Sequence, residues 1–248
     1  MAGNNRNRNV VRNASSRPKT GYYVIGAIAI IGASILGYSL LRKPAGAVGT
    51  EINIDPATAG PAQGYTIGKA DAPVEIIEFA DFECPGCGQF ATVTEPDVIK
   101  RLVEPGLAKL TFYDFPLPQH RNSLGAHNSA ACAADQGKFW EMHQRLFGAQ
   151  DQWNTEATDN PRPFFEKYAS DMGIDTKVWG KCYDARTHQG RIVANMAEGE
   201  RRKVNSTPTF IVGNKLYPGA LPYDALKAIV DSATPNAVKA IVDSATPK

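Results

Sequence analysis

No aspartate or glutamate occurs among the first 50 of the 248 residues, although that stretch holds seven lysines and arginines. Residues 51–248 carry 20 basic against 25 acidic side chains, so the formal net charge of +2 hides a basic leader and an acidic body. An acidic body argues against nucleic acid as its partner. Cysteine is scarce too. Four in the whole chain are too few for a disulfide-stapled miniature fold. Only one Cys-x-x-Cys is present, and His120, His127, His143 and His188 are scattered. The ligand pattern of a structural zinc site is therefore missing. At 43% hydrophobic and 21% charged residues, the chain is not wholly disordered.

Charge of either sign is absent from Tyr22 to Leu41 (YYVIGAIAIIGASILGYSLL). At about 1.5 Å per helical residue this run spans about 30 Å, one bilayer core. Arg6, Arg8, Arg12, Arg17 and Lys19 precede it, and only Arg42 and Lys43 follow before Lys69. The pattern predicts a single transmembrane anchor over 21–41, a basic tail (1–20) in the cytoplasm and the remainder outside. A cleaved signal peptide is the competing reading, with Ala45-Gly46-Ala47 as its small-residue site and Arg42, Lys43 and Pro44 as poor flanks. Either reading exports the body.

An Ala/Gly/Pro-rich linker is expected over 42–63, a folded domain over 64–235 and an extension over 236–248. The segment KAIVDSATP occurs at 227–235 and again at 239–247, a duplication too short for a repeat architecture. Within the domain, Val74–Phe79 reads as a buried strand and Leu107–Phe115 as a second. Residues 87–103 read as a helix kinked at Pro96. A helical block runs from Asn122 to about Glu200, broken at Gly137, at 160–163 and at Gly173. Gly213-Asn214 joins two short strands as a hairpin, and Tyr223–Ser232 forms a last helix. The order suggests an α/β sheet with a helical insertion.

Cys84-Pro85-Gly86-Cys87 follows the first strand and opens a helix. A thiol at a helix N-terminus meets unpaired N–H groups and the positive end of the dipole, which favours thiolate, the attacking species. Two intervening residues let a second thiol reach back and resolve a mixed disulfide. Cys84 is expected to be exposed and Cys87 shielded. Half a zinc site and an inert disulfide are the duller readings. Glu78 lies on the apolar strand beneath the helix, where a carboxyl would have a raised pKa and exchange a proton with Cys87. Pro208, in Ser206-Thr207-Pro208-Thr209-Phe210, would hold extended backbone beside the sulfurs if its peptide bond is cis. An ordinary trans proline at a strand start is the alternative.

Three segments together resemble the DsbA/BdbD-like thiol–disulfide oxidoreductases of the thioredoxin superfamily. They are Glu78-Phe79-Ala80-Asp81-Phe82-Glu83-Cys84-Pro85-Gly86-Cys87, the block Gln136–Phe147 (QGKFWEMHQRLF), and Ser206–Phe210. The resemblance implies a thioredoxin-like α/β fold with a helical insertion. It implies Cys84 as nucleophile, Cys87 as resolving cysteine, Pro85 and Gly86 as the active-site dipeptide, Glu78 as the buried carboxylate and Thr207-Pro208 as a cis-proline loop that binds substrate. Phe139, Trp140, His143 and Phe147 are expected to pack. Gly86 stands where strong oxidases of the family often carry histidine, and Asp81 and Glu83 add negative charge near Cys84. Both are expected to weaken the thiolate. With 84–87 as the active pair, Cys132 and Cys182 are left to form a structural disulfide, two buried free thiols being the alternative.

The expected function is disulfide introduction into exported polypeptides, with no cofactor and no metal. The expected redox partner is a membrane oxidase of the DsbB or vitamin K epoxide reductase type. The catalytic domain would sit in the periplasm or on the cell surface. A reductase or isomerase running the same chemistry backwards is the first alternative. A non-catalytic peptide-binding or chaperone domain is the second.

Overall fold

A computed structural model describes residues 61–234. The expected tail, anchor and most of the linker, and the second copy of KAIVDSATP, lie outside the described residues. Among the described residues no helix is long and apolar enough to cross a membrane.

Five strands form one mixed sheet in the order β1-β3-β2-β4-β5. They are β1 (Tyr65–Ile67), β2 (Val74–Ala80), β3 (Ala108–Asp114), β4 (Thr209–Val212) and β5 (Lys215–Pro218). The apolar run VEIIEFA puts β2 at the centre, parallel to β3 and antiparallel to β4. Continuous apolar sequence of this kind is what a strand covered on both faces requires. The hairpin is present, and Gly213 takes φ +62° at the first turn position, a backbone region glycine enters without penalty. β1 was not expected. It pairs antiparallel with β3 at the sheet edge, and three residues carry too little pattern to mark a strand.

Pro85 opens α1 (Pro85–Gln89), earlier than expected. The helix continues through a π-helical turn (Phe90–Thr94), α2 (Glu95–Val98) and a second π-helical turn (Ile99–Val103). Pro96 has no N–H to give, and its ring would strike the carbonyl of Thr92 in a regular helix. The ladder widens ahead of it instead, and Glu95 N–H bonds back five residues to Phe90 O. The kink expected at Pro96 is thus spread over wide turns on either side of α2.

The helical block comprises α3 (Ser123–Ala134), α4 (Phe139–Gly148), α5 (Gln150–Trp153), α6 (Arg162–Asp171), α7 (Thr176–Asp184) and α8 (Gln189–Arg201). Cys132 of α3 and Cys182 of α7 are bonded as a disulfide. One face of the sheet, with Ile76, Leu110, Phe210 and Val212, packs with Phe90, Leu102 and the residues Leu226 and Val230 of α9 (Tyr223–Ala233). Next to it, Ala80, Phe82 and Phe112 pack with Phe139, Leu146, Phe147, Trp153 and Trp179 of the block. The opposite face, with Phe79 and Ile211, meets Phe115 and Val204. Here α8 comes so close that a Cβ on Gly199 would lie 2.6 Å from the Phe115 ring. Only glycine fits.

Candidate active site

β2 delivers the chain to the site, and three polar anchors, two of them buried, fix the loop that follows. Asp81 is fully buried and accepts from Glu83 N (2.8 Å), Leu117 N (2.8 Å), His120 Nδ1 (2.6 Å) and the Ser123 hydroxyl. The Asp81 bond raises the His120 pKa above its ordinary value. Glu83 accepts from Asn122 N at 2.9 Å and from Thr155 N. Gln150 Nε2 donates to Phe82 O (2.7 Å) and Cys84 O (3.0 Å). The two carboxylates expected to oppose the Cys84 thiolate are therefore consumed as staples between the loop and the helical block. Gln150, Asn122 and His120 were not singled out in the sequence, since isolated polar residues in a helical stretch carry no motif.

Cys84 caps α1 in extended conformation, with Pro85 inside the first turn. Its thiol lies 3.3 Å from Thr207 O, to which it donates. Thr207-Pro208 is a cis peptide. The Pro208 ring packs close against α1, and a Cβ at Gly86 would sit 3.2 Å from Pro208 Cδ. This loop covers Cys84 more than expected, leaving it 8% exposed against 0% for Cys87. The expected order of access remains, but the opening is narrow. Both cysteines are free, and among the described residues no cluster of metal-ligating groups includes them.

The two sulfurs are electrostatically unequal. The Cys87 thiol donates to Cys84, and this bond, against the opposing effect of burial, draws Cys84 down to about 5. The N–H groups of Cys87 and Gly86 add to the effect. Burial pushes Cys87 well above the ordinary thiol value, and Asp81 N donates to its sulfur at 3.5 Å. Glu78 is 1% exposed, opposite Phe112 of β3 and Phe210 of β4. Burial raises its pKa well above the carboxylate range, and Glu95 and then Cys84 push it further. Glu75, by contrast, is only partly covered and accepts from the Thr111 hydroxyl at 2.6 Å. The site thus holds an outer sulfur whose pKa is drawn down, an inner sulfur whose pKa is pushed up, and a buried carboxyl whose pKa is raised.

The thioredoxin family model matches residues 62–232. Na(+)/H(+) antiporter NhaA 3 of Salinispora tropica is 32% identical over 200 residues, covering 80% of this chain but 28% of that protein. The chain spans about a quarter to a third of the length of the relatives so named. Disulfide bond formation protein D of Bacillus subtilis is 25% identical over 166 residues, covering 66% of this chain and 74% of that protein. Among solved structures, oxidised BdbD from Bacillus subtilis superposes with TM-score 0.60 at 22% identity, covering 70% of this chain and 96% of that one. Wolbachia pipientis alpha-DsbA1 gives 0.63 at 19% identity, with 73% and 94% covered. The chain belongs to the thioredoxin family, and DsbA and BdbD proteins are its structural neighbours.

Proposed function

We propose that this chain is a membrane-tethered, extracytoplasmic protein thiol–disulfide oxidoreductase that introduces disulfides into exported polypeptides. The observation that carries the reading is the stabilised Cys84 sulfur, edged to the surface beside Thr207-Pro208 with Cys87 buried behind it. In the oxidative half-reaction a substrate thiolate attacks Cys84 Sγ of the 84–87 disulfide. The S–S bond breaks, its electron pair passes to Cys87 Sγ, and Glu78 supplies the proton. A second substrate thiolate then attacks the substrate sulfur of the mixed disulfide and releases Cys84 as thiolate. The substrate loses two electrons and the cysteine pair gains them. The backbone at Thr207, beside Cys84 and just ahead of β4, offers a place for a substrate segment to add as a strand. Pro85 and Gly86 carry the chain between the sulfurs, and the small Gly86 admits the Pro208 ring. The Cys132–Cys182 bridge has no part in the exchange, and the scheme uses neither cofactor nor metal.

A low Cys84 pKa stabilises the reduced pair and so makes the disulfide a stronger oxidant. This supports the oxidative direction. Gly86, in place of a histidine, is the feature that favours the reductase or isomerase reading. The domain arrangement goes with the oxidase: residues 64–235 as the catalytic domain, a linker over 42–63 and an anchor over 21–41 holding it near a membrane oxidase of the DsbB or vitamin K epoxide reductase type. Trapping cellular thiols with an alkylating reagent decides the direction. Cys84 and Cys87 are expected mostly oxidised. A mostly reduced pair would overturn the oxidase reading in favour of the reductase.

A further inference from the structure

Behind Cys87 lie more buried polar atoms than the exchange reaction as described employs. Glu78 Oε2, Glu95 Oε2 and both ring nitrogens of His143 have no hydrogen-bond partner among the described residues. Glu95 is 3% exposed and His143 0%. Aromatic packing links them. Glu78 stands between Phe112 and Phe210 on the same sheet face. Phe90 packs on Phe210 with ring centroids 4.6 Å apart, and His143 packs edge-on to Phe112 at 5.2 Å. Glu95 follows the π-helical turn that Phe90 begins, and its Oε2 lies 3.6 Å from His143 Nε2. Phe82, Phe139, Trp140 and Phe147 complete an aromatic cage that fixes the imidazole.

Buried polar groups without partners are costly, and an apolar residue in their place is often more stabilising. A glutamate and a histidine facing each other in an aromatic interior therefore need a reason other than packing. Building on the proposed exchange reaction, we propose that Glu95 is a positioning residue for the Cys87 proton: it shares that proton with Glu78, while the His143 ring faces its carboxyl across 3.6 Å and holds it in place by packing.

When the 84–87 disulfide opens, Glu78 gives its proton to the Cys87 sulfur. Two carboxyls close together resist a second negative charge, so the proton remaining on Glu95 keeps the pair singly charged. When Cys87 later attacks the mixed disulfide, its proton returns to the pair. Burial holds Glu95 up to about 8. Burial, and then His127, holds His143 down to about 3, so the ring adds no positive charge beside Glu95. The titratable groups that act on Glu78 are Glu95 from α2, Cys84 at the cap of α1 and Cys87 within it, and His143 of α4 faces Glu95. His127 of α3, bonded to Asp114 at 2.7 Å, lies beyond His143.

The test is the rate at which glutathione reduces the 84–87 disulfide of the full-length protein, measured across pH 5 to 10 in wild type, Glu95→Gln and Glu78→Gln. The alkaline fall in rate marks loss of the donated proton. Glu95→Gln is expected to move that fall to lower pH by about one unit, because the like charge that raises Glu78 is gone. Glu95→Leu is expected to raise the melting temperature while moving the profile the same way, an outcome a merely structural glutamate would not give. The infrared intensity of protonated carboxyls should fall by one group in Glu95→Gln, and a band should be displaced in His143→Phe. A profile that Glu78→Gln shifts and Glu95→Gln leaves in place overturns this inference alone. A profile that neither shifts overturns it together with the role proposed for Glu78.

Discussion

Cys84→Ala is expected to abolish disulfide transfer to a thiol substrate, by more than about a thousandfold, since catalysis by a thiolate nucleophile cannot survive its removal. The chain has only four cysteines. Two of them are bonded to each other, and Cys87 is sealed from solvent with a raised pKa. No other sulfur can take over. Cys87→Ala should do the opposite of silence the protein. It keeps the attacking sulfur and removes the resolving one, so a mixed disulfide between Cys84 and substrate should accumulate. Non-reducing electrophoresis after acid quenching reads both outcomes. A peptide-binding domain that merely retains the fold predicts neither, and an unchanged cellular phenotype in Cys84→Ala would favour it.

Asp81→Ala is expected to cost about 3–5 kcal/mol of stability, the range for breaking a buried charged network by removing one partner. Four donors converge on this carboxylate: the backbone N–H groups of Glu83 and Leu117, the His120 ring and the Ser123 hydroxyl. With the side chain gone, two backbone N–H groups and a hydroxyl lose a buried acceptor. The loop carrying Cys84 should loosen as well, because Glu83 N is one of the four. Urea denaturation gives the stability. A midpoint within experimental error of wild type would show that the network does not hold the loop.

The legible parts of this protein were those in which a single pattern dictates a single structure. β2 is a continuous apolar run, the Gly213-Asn214 hairpin has glycine where the turn needs it, and Gly137 and Gly173 break helices with φ of +73° and +76°. The cysteine motif and the Pro208 segment could be read as two ends of one site because each carries a chemical reason for lying near the other. What stayed hidden depends on partners distant in sequence. Asp81 and Glu83 read as negative charge beside the thiol, but residues 36 to 72 positions away turn them into buried staples. Glu95 lies in an unremarkable Thr-Glu-Pro, and only the π-helical turn ahead of Pro96 turns it inward. The narrow opening at Cys84 follows from a loop more than 120 residues downstream, which no local pattern records.

The account rests on an ionised sulfur at residue 84. Its titration is the most direct test, followed by thiolate absorbance or by the rate of alkylation of the reduced protein with Cys87 replaced by serine and, separately, intact. The intact reduced protein should titrate with a midpoint near pH 5. In Cys87→Ser the serine hydroxyl can stand in for the lost thiol donor, so the midpoint should stay well below that of an unperturbed thiol, about 8.5. The sign of the linkage follows. The lowered pKa stabilises the reduced fold fully above the range of an unfolded thiol, and that contribution fades as pH falls through about 5. A midpoint near that of a free cysteine, with no loss of reduced-state stability on acidification, would contradict the account.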